Sequence, residues 1–114
     1  FMLFGSKKDK IASMAAKGKQ TPKLCEYCFD RDPEIRAAAA EAVGKTQGDA
    51  GYNALINLLR DEEPKVAIAA AKALGEMGSK NAIEHLRYMI NHSDNAEMQE
   101  VCRNSMAILN RKHD

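Results

Sequence analysis

Cys25 and Cys28 stand three positions apart in Cys25-Glu-Tyr-Cys28, the spacing at which two thiols hold a zinc ion or cycle through a disulfide. The surroundings suit neither chemistry. A redox pair opens a helix after a strand, whereas these residues lie inside an amphipathic segment and align with the apolar Ile56 and Leu59, 31 positions on. A tetrahedral zinc site needs two further ligands, and no His or second Cys pair lies close by in sequence. Free cysteine is among the most buried residue types, so the pair reads as core packing.

The remaining catalytic inventory is thin. His85, His92 and His113 are scattered over a helix, a turn and the tail, and Glu84-His85 reads as a surface pair, since nothing repeats it elsewhere in the chain. Neither a Gly-rich phosphate loop nor a nucleophile elbow is present. The expectation is a non-enzymatic protein without a cofactor or a bound metal.

Charge is the other candidate chemistry. Between Phe1 and Lys23, Lys7, Lys8, Lys10, Lys17, Lys19 and Lys23 face only Asp9, a balance of +5 that leaves −4 for the rest of a chain with formal charge +1. Six lysines would make phosphate contact strongly salt dependent. They come without the aromatic ladder or arginine fork that reads bases, so nucleic-acid binding is the second reading and a solvated helix face the simpler one. Phe1, Met2, Leu3 and Phe4 form a run too short for a signal-peptide core, and packing on the first helices suits it better than contact with a membrane surface. No stretch approaches the roughly 18 apolar residues of a membrane span. Three cysteines, Cys25, Cys28 and Cys102, do not make a disulfide scaffold, which points to a reducing cytoplasm. Phe1 ahead of Met2 reads as an added residue, though a piece cut from a longer array has the same look.

These residues must be positioned by helices. The chain has 114 residues, enough for one domain, and its apolar share of 45% is skewed toward Ala and away from aromatics. Small side chains let helices approach closely. The segment Asp30 to Gly44 lies over Asp61 to Gly75 at an offset of 31, with Asp30/Asp61, Pro33/Pro64, Ile35/Val66, Val43/Leu74 and Gly44/Gly75 in register. Each copy has an acidic turn, Pro at the first helical position, an apolar stripe and a Gly placed where a left-handed cap would end the helix. Val66, Ala70, Leu74 and Met77 recur at spacings of three and four and define one buried face. A second amphipathic segment precedes each copy, at 22–29, 52–60 and 82–90. A third inner helix over 97–110 keeps the stripe through Met98, Val101, Cys102, Ser105, Met106 and Leu109 but loses the Pro, the Ala run and the Gly. No strand pattern occurs.

The pattern Ala54-Leu-Ile-x-Leu-Leu-x-Asp-Glu-x-Pro-x-Val66, followed by an Ala-rich helix and Leu74-Gly75, resembles a HEAT repeat, and its short period is similar to the compact type named for phycobiliprotein lyases. The resemblance runs over about 20–109 and is strongest in the middle copy. It implies an all-α, right-handed α-α superhelix of about three helix pairs, with second helices lining a concave face. The expected layout is a basic arm and capping helix over 1–19 and a repeat domain over 20–114, with repeats at about 20–46, 49–77 and 80–111. It also implies a polar ladder between turns, carried here by Asp30, Arg36 and Asp61, and only partial because Ala67 takes the second Arg place.

Such stacks usually bind proteins. The expected function is therefore a scaffold binding a protein or peptide on the concave face, as a monomer or a weak dimer through its end repeats. The alternatives are nucleic-acid binding by the basic arm, or an accessory role in cofactor or chromophore attachment, against which the scarcity of aromatics counts. With Val66, Ala70 and Leu74 buried, a turn of about 100° per residue points Ile68, Ala71, Lys72 and Gly75 outward. Their counterparts are Ala37, Ala40, Glu41 and Gly44 before, and Glu100, Arg103, Asn104 and Ala107 after. The candidate contact residues are Ala37, Glu41, Ile68, Ala71, Lys72, Glu100, Arg103 and Asn104, a mixed-charge stripe suited to a protein surface more than to a polyanion.

Overall fold

Pro at N1 supplies the fixed φ a helix start needs and lacks only a donor that would have no partner there. Three helices open this way in the computed structural model, which describes residues 6–111: α2 (Pro22–Tyr27), α3 (Pro33–Val43) and α5 (Pro64–Met77). The others are α1 (Lys7–Lys17), α4 (Asp49–Leu58), α6 (Ile83–His92, entered through a short 3-10 turn at Lys80–Ala82) and α7 (Ala96–Arg111). Side-chain caps place several of the starts. Ser6 accepts from the Asp9 amide at 3.0 Å, Thr21 from Leu24 at 3.1 Å, Asp32 from Glu34 at 2.9 Å and Asn95 from Met98 at 2.9 Å. The described residues contain helices and no strands.

The helices stack in two rows. In the inner row α1, α3, α5 and α7 each pack on the next, while α2, α4 and α6 each cover the inner helix that follows them in sequence. One continuous core results, built around Leu24, Val43, Leu55, Leu59, Val66, Leu74, Leu86 and Leu109. Cys28 and Cys102 are fully buried within it, and Cys25 sits at its edge. Phe1, Met2, Leu3, Phe4 and His113 lie outside the described residues.

Neither Gly44 nor Gly75 is a left-handed cap. Gly44 keeps a right-handed φ of −59°, and Gly75 lies inside α5, which ends at Gly78 with φ 83°. Their role is close approach. A Cβ on Gly44 would stand 2.7 Å from the Ala73 Cβ and 2.9 Å from its Cα, and one on Gly75 would stand 2.6 Å from the Ser105 Oγ and 2.8 Å from its Cβ. The same repeat position thus touches the next inner helix twice, α3 on α5 and α5 on α7. Inner helices this close fix the pitch of the stack.

A methyl at Gly44 must push on the backbone of α5, and at a helix terminus it gains little from the better helix propensity of alanine. Gly44→Ala is expected to lower the unfolding free energy by about 1–3 kcal/mol. Urea denaturation followed by circular dichroism measures this, and an unchanged midpoint would contradict the contact.

Candidate functional site

An inner helix in the middle of a row has its own outer helix on one side and inner neighbours on two others, so its solvent arc is narrow. On α5 the exposed side chains are Pro64, Lys65, Lys72 and Glu76, with Ile68 and Ala69 half-buried. This corrects the outward stripe. Ala71 is fully buried and its carbonyl accepts from the Ser105 hydroxyl at 2.8 Å, Ala40 is fully buried as well, and Gly44 and Gly75 lie in the contacts between inner helices. Ala37, Glu41, Lys72 and Asn104 do line surface grooves. Ile68 faces a different cleft, at the turn end of α5. Glu100 and Arg103 are exposed on α7, the last helix of the row, outside these grooves.

Three grooves run along the inner row, one between α1 and α3 and two beside α5. Of the two beside α5, one, of about 400 Å³, lies between α3 and α5 over Ala37, Ala38, Ala69 and Ala73. The other, of about 440 Å³, lies between α5 and α7 beside Val101, Asn104 and Ile108. Lys72 and Glu76 border both.

Opposite charges occupy equivalent repeat positions along the groove between α3 and α5. Glu34 bonds Lys65, which lies 31 residues on, and Lys8 of α1 approaches the same carboxylate at 3.8 Å. Lys45 lies 3.8 Å from Glu76, again 31 residues on. Between these bridges stand Glu41 and Lys72, the same distance apart in sequence and with no salt bridge among the described residues. The sequence reading missed Lys45, Glu76 and, of the groove floor, Ala38, Ala69 and Ala73. The signal was present as charge alternation at the repeat offset.

A polar ladder ties the turns together. Arg36 donates from Nε to Asp61 Oδ2 at 2.8 Å and from Nη2 to Oδ1 at 3.1 Å, while Nη1 reaches the Asp30 carbonyl at 2.8 Å. Such a fork holds both direction and distance. Lys7 of α1 donates to Asp30 at 2.7 Å, so α1 supplies the cation at the first turn. Each turn acceptor also takes the amide two residues on: Asp30 from Asp32, Asp61 from Glu63, Ser93 from Asn95. Burial alone would raise Asp61, but hydrogen bonds from Arg36 and the Glu63 amide outweigh it and hold the carboxyl below its usual range. The Lys7 hydrogen bond, ahead of the Asp32 amide, does the same for Asp30.

The other candidates have structural surroundings. Burial, with the neighbouring Cys25 adding to it, pushes the Cys28 thiol up to about 12, and burial pushes Cys102 up to about 11, so neither is poised as a nucleophile. All three thiols are free and buried. Glu84 bonds Arg87, and His92 stacks on Tyr88 with ring centroids 3.9 Å apart. No group of three His, Cys, Asp or Glu among the described residues is placed to hold a metal ion. In the basic arm Lys7, Lys8 and Lys23 already face Asp30, Glu34 and Glu26.

A family model described as HEAT repeats matches residues 21–107, more than half of the chain. The chain belongs to the HEAT-repeat family. HEAT repeats commonly act as protein-interaction scaffolds, and the family is generally non-enzymatic. No curated protein matches the chain. The match is to HEAT repeats at large and carries nothing about the phycobiliprotein-lyase kind. No helix among the described residues is long and apolar enough to cross a membrane.

The HEAT ladder should set the acid limit of the stack. A carboxyl whose folded pKa is lowered stabilises the fold above its unfolded value near 3.8 and loses that contribution as pH falls through the folded pKa. Asp61→Asn should therefore cost about 1–3 kcal/mol at pH 7, and the gap to wild type should close below about pH 4. Urea titrations at both pH values test this, and a pH-independent gap would contradict the ion pair.

Proposed function

We propose that the chain is a non-enzymatic scaffold that binds a protein or peptide partner along the inner row of helices. The observation that carries this reading is the charge rail over the alanine floor, in which Glu41 and Lys72 stand unbridged between two bridged pairs. Small side chains leave a shallow groove, and an unbridged acid and base at its centre offer one donor set and one acceptor set to a polypeptide. Membership of the HEAT family supports the same conclusion. None of the three grooves is lined by an aromatic side chain, which favours a polypeptide over a flat chromophore.

Nucleic-acid binding by the arm from Lys7 to Lys23 is the weaker reading, because three of its lysines face carboxylates and no arginine fork accompanies the rest. Three free thiols support a reducing compartment, and the cytoplasm is the proposed location. Of the stretch expected to contact the partner, Ala37, Glu41, Lys72 and Asn104 remain the proposed contacts.

Lys72→Glu tests the reading. The residue is exposed, so the variant should melt within a few degrees of wild type while losing at least about tenfold of its capture of a lysate partner, the scale of a charge reversal at a binding surface. An unchanged partner set at unchanged affinity would remove the inner face from consideration.

A further inference from the structure

In the first and third turns of the stack one backbone carbonyl accepts from the side chain six residues on. The Asp30 carbonyl accepts from Arg36 at 2.8 Å, and the Ser93 carbonyl accepts from the Gln99 side-chain amide at 2.8 Å. The middle turn breaks the series. Six residues after Asp61 stands Ala67, which has no donor to give, and the Asp61 carbonyl accepts no hydrogen bond among the described residues. The link to the next turn is missing as well. Where Arg36 reaches forward to the Asp61 carboxylate, nothing reaches from Ala67 to Ser93, its counterpart.

A cleft of about 380 Å³ occupies the place of the missing side chain. Ala67, Ile68, Met89 and Met98 form its apolar wall, and Asp61 and Ser93 stand at its polar end. Glu62, also on the lining, is exposed and forms no salt bridge among the described residues. Arg60, the competing cation at the rim, lies over the Tyr88 ring at 4.7 Å, and His92 stacks on the same ring.

We infer that this cleft receives an arginine side chain from a partner polypeptide, completing in trans the ladder that Arg36 builds in cis one turn earlier. The three methylenes pack along the apolar wall. The guanidinium donates to the Asp61 carbonyl and the Ser93 hydroxyl, with the Glu62 carboxylate balancing its charge. A planar fork suits these separated acceptors better than the point charge of a lysine. The cleft opens at the turn end of α5, apart from the inner-row grooves, so its occupancy stands or falls separately from the Lys72 surface.

The tripeptide acetyl-Gly-Arg-Gly-amide, titrated into the isotope-labelled full chain, is the direct probe. Its expected effect is a saturable shift of the Glu62, Ala67 and Ser93 amide resonances, with a dissociation constant of about millimolar size for so small a ligand. The citrulline and norleucine counterparts should bind at least about tenfold more weakly. Ala67→Arg should abolish the shifts by filling the cleft in cis, and Glu62→Gln, an exposed change that leaves the core alone, should weaken them several-fold. The inference is overturned by an absence of shifts, by equal or tighter binding of the norleucine or citrulline peptide, or by folded Ala67→Arg that binds as wild type does. Should Ala67→Arg not fold, unaltered arginine-peptide binding by Glu62→Gln overturns it alone.

Discussion

A side chain on Gly44 or Gly75 would collide with the next inner helix, and that prohibition sets the geometry of the whole stack. Because Gly44 meets Ala73 and Gly75 meets Ser105, α3, α5 and α7 lie close together, and α3 and α5 are each covered on three sides. Dense contact between small residues replaces the large aromatic cores of other domains. The rows of outer helices then serve mainly to close the apolar faces that the inner row leaves open.

The same closeness limits what the surface can do. A middle helix retains only a narrow strip of exposed positions, and on α5 that strip carries Lys65, Lys72 and Glu76. Neighbouring helices in register bring the equivalent positions of successive repeats side by side, so a charge pattern written at an offset of 31 becomes a row of cross-helix pairs. The inner row therefore displays charged side chains over an alanine floor. Burial raises the Cys28 and Cys102 thiols well above their ordinary range.

Much of the fold was legible because the punctuation is strong. Pro33 and Pro64 fix helix starts, the Asp30 and Asp61 turns align, and the three- and four-residue spacing of Val66, Ala70 and Leu74 marks a buried face. The glycines were misread because a Gly after an apolar run carries the same signal whether it caps a helix or touches a neighbour. Gly78, three residues later, is the left-handed cap of α5. The binding stripe was half legible for a related reason. Periodicity on one helix locates the face opposite its deepest residues, but it does not reveal that neighbours on both flanks bury Ala40 and Ala71 as well. Pairing Glu34 with Lys65 and Lys45 with Glu76 required reading two copies against each other instead of each helix alone.

The ladder of Lys7, Asp30, Arg36 and Asp61 joins neighbouring turns and needs the inner helices in place, so the glycine contacts are its geometric condition. Nuclear Overhauser effects report them directly. In a carbon-edited spectrum the Gly44 Hα protons should show strong cross-peaks to the Ala73 methyl, and the Gly75 Hα protons to the Ser105 Hβ protons. Well-formed helices that lack both sets of cross-peaks would contradict the stack.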